Sequence, residues 1–129
     1  MPSRNVEIVQ SYWAAWERGK PHAAQEFVSH DFVVRSDAAG WQPVHGLQET
    51  REMLTELLAR GISIAAHADR FEDLGDYVLV HGRRTTIRAG EEEAAERCWV
   101  FHVRNGRIAS ITAKRSVDEA FEHVEWDRR

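Results

Sequence analysis

The stretch that decides the fold is Glu96-Arg97-Cys98-Trp99-Val100-Phe101-His102-Val103-Arg104-Asn105-Gly106-Arg107-Ile108-Ala109-Ser110-Ile111-Thr112-Ala113-Lys114-Arg115. Its β-branched and aromatic residues read with a period of two on either side of Asn105-Gly106. That dipeptide accepts the left-handed backbone of a two-residue turn, so Glu96 to Arg104 and Arg107 to Arg115 are predicted to pair as a hairpin. Strand alternation then puts Trp99, Phe101 and Val103 on one face and Cys98, Val100 and His102 on the other.

Working outward, the same period holds back to Ile62. Ile62 to Phe71 is a predicted strand turned at Asp73-Leu74-Gly75-Asp76, and Tyr77 to Arg88 is the next, turned through the acidic tip Gly90-Glu91-Glu92-Glu93. Upstream the intervals become three and four. Val6, Val9, Trp13 and Trp16, flanked by Ile8 and Tyr12, mark one face of a helix capped by Ser3 or Asn5 and stopped at Gly19. Pro21 opens a second helix, His22 to about Val28. Phe32 to Arg35 is a short strand, Ser36 to Pro43 a loop, and Gly46 to Arg60 a third helix with a stripe of Leu47, Leu54, Leu57 and Leu58. Val117 to Val124 makes a terminal helix. The whole reads as one α+β domain over residues 1–129, with three N-terminal helices packed on one face of a mainly antiparallel sheet.

Composition agrees with one globular domain and narrows its partners. The chain has 129 residues, 43% hydrophobic and 29% charged, which is neither disordered nor fibrous. A net charge of −4 gives no general attraction to nucleic acid, and the pairs Arg83-Arg84 and Arg128-Arg129 are too small to change that. No apolar run is long enough to cross a membrane, and no signal segment follows the N-terminal charge, so a cytoplasmic protein is expected. Cys98 is the single cysteine and reads as a small buried apolar residue. Seven histidines invite a metal reading, but His67, His81 and His102 lack ligand spacing, so no metal is expected. Five tryptophans in so short a chain stand out, since aromatics at that density line concave surfaces as well as cores.

The element order, together with Ile8 to Trp16, Asp37 to Gly46 and Trp99 to Ile108, resembles the nuclear transport factor 2-like superfamily in its SnoaL-like and ketosteroid-isomerase-like branch. The resemblance covers nearly the whole chain. It implies a cone-shaped (cystatin-like) fold in which a curved sheet wraps the helices around an apolar pocket. In the isomerases a helix-one tyrosine and a strand carboxylic acid hold the enolate oxygen, and an aspartate after the first strand moves the proton. Position by position, the tyrosine matches Tyr12 and the aspartate matches Asp37, with Ser36 as the competing match. The oxyanion acid falls at Trp99, a departure from the isomerase pattern, because an indole offers one donor and no acidic proton.

The resemblance thus implies two readings. One is a cofactor-independent isomerase, cyclase, dehydratase or hydrolase acting on a small apolar, oxygen-bearing molecule. Asp37 would shuttle the proton and Tyr12 hold the oxyanion, with Trp16, Trp41, Trp99 and Phe101 as pocket walls. His45 would add a polar group and Arg115 would steer the ligand at the mouth. Each has a plainer alternative: a turn carboxylate for Asp37, core packing for Tyr12, a helix start for His45 and strand-end exposure for Arg115. The other reading is a non-catalytic module that binds a small ligand in the same cavity or serves to dimerise. In either case a homodimer through the convex sheet face is expected.

Overall fold

The computed structural model describes residues 3–37 and 41–129. Helix α1 spans Arg4–Glu17, and the Ser3 hydroxyl accepts the Val6 N–H to cap it. Gly19, at φ 70°, turns the chain into a 3₁₀ helix, Pro21–Phe27, in place of the expected second α-helix. Strand β1 is Val28–Ser36, longer than expected, and Val44–His45 forms a short β2 against it. Helix α2 runs Gly46–Ala59. The long strands β3 (Ile62–Asp73), β4 (Tyr77–Arg88), β5 (Glu91–Arg104) and β6 (Arg107–Lys114) follow. The last helix, α3, covers Val117–Asp127.

The strands order as β2-β1-β6-β5-β4-β3, antiparallel except for the parallel β1–β6 pair. Asn105 and Gly106 stand at φ 54° and 75°, the backbone of the expected tight turn. Ala89 and Gly90 form a second such turn, at φ 51° and 81°. The acidic run therefore belongs to β5 and not to the hairpin tip.

Helix α2 touches both β1 and β3, near opposite edges of the sheet, so the sheet curls around it. The curl has local causes. Register shifts interrupt β3 between Ala68 and Arg70 and the β5–β6 pair at His102/Val103, and bulges bend strands. At the first of these β3 lies so close over β4 that a Cβ on Gly82 would sit 1.9 Å from the His67 carbonyl oxygen, so only glycine fits.

Two apolar clusters divide the sheet faces. The inner one joins α1, the 3₁₀ helix and α2 to inward residues such as Phe32, Val80 and Phe101. The outer one is Tyr77, Leu79, Cys98 and Val100 under Ala120 and Val124 of α3. The expectation that three N-terminal helices cover one face is corrected here. Two α-helices and a 3₁₀ helix lie N-terminal, and the third α-helix is C-terminal, packed on the outer face. Leu58, expected in the buried stripe of α2, is 65% exposed. No helix among the described residues is long and apolar enough to cross a membrane.

Candidate functional site

Two helices and four strands meet around one aromatic cavity. The α1 spacing brings Tyr12, Trp13 and Trp16 to one helix face, and α2 adds Thr50 and Leu54. Inward-facing Trp99 and Phe101 of β5, Ile64 and Ala66 of β3, Val34 of β1 and Ile111 of β6 complete the wall. The space is about 410 Å³ and partly open to solvent, within the usual size of small-molecule sites. Ring contacts stiffen it. Tyr12 meets Phe101 edge-on at 5.7 Å, and Trp13 meets Trp99 at 5.1 Å and Phe71 at 6.2 Å.

Few polar groups reach this space. Burial pushes the Tyr12 hydroxyl well above the usual phenol range, while the neighbouring Trp16 indole pulls it part of the way back. Tyr12 therefore stays a neutral hydroxyl at any ordinary pH. The Trp16 Nε1 is enclosed and makes no hydrogen bond of full geometry among the described residues, although it stands near enough to the Tyr12 hydroxyl to lower its pKa. Thr50 Oγ1 donates to the Gly46 carbonyl at 2.9 Å, so its proton is used inside the helix. Glu17, exposed, is the carboxylate at the cavity's edge. An apolar slot with one unmatched buried donor favours a guest that carries an acceptor oxygen.

Of the residues named from the sequence, Tyr12, Trp16, Trp99 and Phe101 come together here and the other four do not. Ser36 and Trp99 both pair with Ala113, which puts Ser36 on the inner face and Asp37, one residue on, on the outer. There the Asp37 carboxylate lies 3.1 Å from Lys114 Nζ, in a shallow cleft shared with Arg115, His123 and Trp126. Burial, followed by the Lys114 charge, lowers the His123 pKa in that cleft. Arg115 is exposed and lies 3.5 Å from Glu119, away from the cavity mouth. Asp37, expected as a base at the cavity mouth, thus lies on the outer face and outside the cavity lining. His45 is the exposed N-cap of α2, its backbone N–H held by Glu49 Oε1 at 3.2 Å. Trp41 is half-buried and lies outside the cavity lining. The loop residues 38–40, read as neighbours of Asp37, fall outside the described residues.

Trp13, not among the expected pocket walls, is both core and cavity wall. Leu54 had a signal in the α2 stripe. Thr50 and Glu17 had none, because a polar residue beside an apolar stripe looks like any solvent-facing one. Cys98 is fully buried and its thiol is pushed up to about 11 by that burial, so it is no nucleophile. Among the described residues no group of three His, Cys, Asp or Glu side chains is placed to hold a metal ion.

A curled six-stranded sheet closed by N-terminal helices over an inner cavity is the nuclear transport factor 2-like fold. Residues 9–111 match the SnoaL-like domain, and the chain belongs to that family. No curated protein matches it. Among solved structures it is similar to a nuclear transport factor 2-like protein from Burkholderia pseudomallei, with TM-score 0.76 and 18% identity over 94% of this chain and 97% of that one. A second such protein, from Burkholderia thailandensis, also has TM-score 0.76, with 20% identity over 94% and 98%. An LEH-like epoxide hydrolase from M. tuberculosis has TM-score 0.68 and 19% identity over 92% and 87%. At these identities the likeness is one of fold.

Proposed function

We propose that the chain is a SnoaL-like pocket protein that binds a small, flat, apolar molecule through an acceptor oxygen. The observation that carries this reading is the buried, unpartnered Trp16 Nε1 in an aromatic cavity of about 410 Å³. Trp16 would donate to that oxygen, Tyr12 would offer a second hydroxyl contact, and Trp99 and Phe101 would stack on the body. No cofactor is needed for this role. Quenching of tryptophan fluorescence by 2-acetylnaphthalene tests it directly. Saturable binding at one site per chain is expected, and its absence sinks the reading.

One observation favours a catalytic reading of the same cavity: Glu17 stands at its edge, on the helix that carries Tyr12. Tyr12, kept protonated by burial, is a donor suited to a developing oxyanion and cannot itself take a proton. Glu17 would then do the proton transfer expected of Asp37, in an isomerase, cyclase, dehydratase or hydrolase reaction without cofactor. An epoxide hydrolase among the structural neighbours is in keeping with such chemistry. Turnover of a panel of enolisable ketones and epoxides that falls in Glu17→Gln and Tyr12→Phe but not in Asp37→Asn would establish it. Turnover absent from the wild type leaves the binding role.

A further inference from the structure

Next to the cavity, two arginines share the inner face of the sheet, and neither has an ion-pair partner among the described residues. On this face the side chains of β3, β4 and β5 form rungs. Phe71, Val80 and Trp99 make one, Ala68, Gly82 and Arg97 the next, and Ala66, Arg84 and Ala95 the one after. Arg97 is therefore the next inward residue after Trp99 along β5, and Arg84 is the cross-strand partner of Ala66. Trp99 and Ala66 both line the cavity. Arg84 and Arg97 are diagonal neighbours on adjacent strands, within mutual reach for side chains of that length.

The two arginines border a cleft of their own beside the aromatic cavity, with the exposed Glu91, Glu92 and Glu93 along its far side. Arg84 is half-buried, and its Nε is enclosed with no hydrogen-bond partner. Arg97 Nη1 donates to the backbone oxygen of Glu96 at 2.7 Å. Among the described residues, no carboxylate lies within ion-pair distance of either guanidinium. Glu93, one rung further out and exposed, acts on Arg84 through its field alone. Burial and the Arg97 charge both lower the Arg84 pKa, as expected when like charges crowd together out of water. Arg83, next in sequence but on the outer face, lies 3.7 Å from Asp69.

We propose that the cavity takes an aromatic carboxylate, its ring system among Trp16, Trp99 and Phe101 and its carboxylate docked on Arg84 and Arg97. Guanidinium forks match the two coplanar oxygens of a carboxylate, and an anion between them would offset their mutual repulsion. The inference rests on the cavity being a ligand site, and adds the charge and the direction in which the ligand lies.

The test compares 2-naphthoate with 2-acetylnaphthalene, a neutral molecule of similar shape, by calorimetry or tryptophan quenching on the full chain. Wild type is expected to bind the carboxylate about tenfold more tightly, a preference that shrinks as salt is raised. Arg84→Gln and Arg97→Gln should each remove most of that preference and leave the ketone's affinity unchanged. Arg83→Gln makes the same change in net charge on the outer face and should leave both affinities unchanged. Equal binding of the two compounds to wild type overturns the inference while the cavity reading stands, as does an Arg83→Gln effect equal to that of Arg84→Gln. Failure of both compounds to bind overturns the cavity reading and this inference with it. Should either inner-face variant fail to fold, the salt dependence of the wild-type preference decides alone: a preference that salt does not reduce is not electrostatic, and the arginine pair is then not its source.

Discussion

Tyr12 and Trp16 stand one helical turn apart on α1, so both rings line the cavity from one helix face. A buried donor without a partner costs stability, and a residue that keeps one is set up to spend it on a guest. Trp16→Phe is therefore expected to weaken 2-acetylnaphthalene binding roughly 3- to 10-fold, the worth of one neutral hydrogen bond. Its melting temperature should stay level or rise slightly, since the orphan donor is gone; a large fall in stability would show that the indole is structural. The outer-face Asp37 gives the opposite pattern. Asp37→Asn leaves Lys114, whose side chain is 17% exposed, without its counter-charge. A loss of about 1 kcal/mol in chemical denaturation is expected, with probe affinity unchanged. Altered probe affinity would bring Asp37 back to the cavity. The identity of Tyr12 and Trp16 as candidates was legible in the helical spacing, because both periods and ring chemistry are local. The side taken by Asp37 was not, because it depends on whether β1 ends one residue earlier or later.

At the scale of elements, two features hold the sheet in shape. Gly82 lies beneath the β3 backbone, and a methyl group there would meet the His67 carbonyl oxygen at 1.9 Å. Gly82→Ala should cost about 3 kcal/mol or more in urea unfolding, because backbone must move to admit it; a neutral result would mean that β3 does not curl over β4 there. Helix α3 is the second. Its end is tied to the sheet through a hydrogen bond from the Tyr77 hydroxyl to Asp127, with Arg128 over the Tyr77 ring at 5.3 Å and Tyr77 stacked on His102 at 4.6 Å. Burial, then the Asp127 carboxylate, pushes the Tyr77 pKa up to about 12. Unfolded tyrosine titrates near 10, so the folded state holds its phenol proton more tightly. That contribution is complete below pH about 10 and is lost as pH rises through about 12. Tyr77→Phe should make the alkaline fall in stability shallower, with Tyr12 supplying what persists; an unchanged alkaline limb would deny Tyr77 that role. The existence of α3 was readable from its period, and its docking face was not, since an amphipathic helix does not say which sheet face it covers.

For the whole molecule, the outer face is the point at which folding and assembly compete. A homodimer was expected through an apolar convex face, yet α3 of the same chain already covers Leu79, Cys98 and Val100. A dimer built there would have to displace the helix or use the polar ground around Glu72, His81 and Arg83. With α3 in place, light scattering should give the mass of one chain, 14.8 kDa. Removing residues 116–129 should uncover the apolar cluster and raise the mass by self-association. A truncated chain that stays monomeric and folded would show that α3 is dispensable cover.

Taken by itself, the amino-acid sequence determined what local physics can determine: the periods of α1, α2 and the long strands, the Asn105-Gly106 turn, the partition of Trp99 and Phe101 from Cys98 and Val100, and through their order the family. Only the tertiary structure decided that Asp37 faces away from Tyr12, that Trp16 keeps an unmatched donor, that α3 lies outside, and that Arg84 and Arg97 share the inner sheet face on adjacent strands. Each of these depends on register between strands far apart in the chain or on which face an element meets. A slip of one residue or a choice of face costs nothing locally and changes every contact.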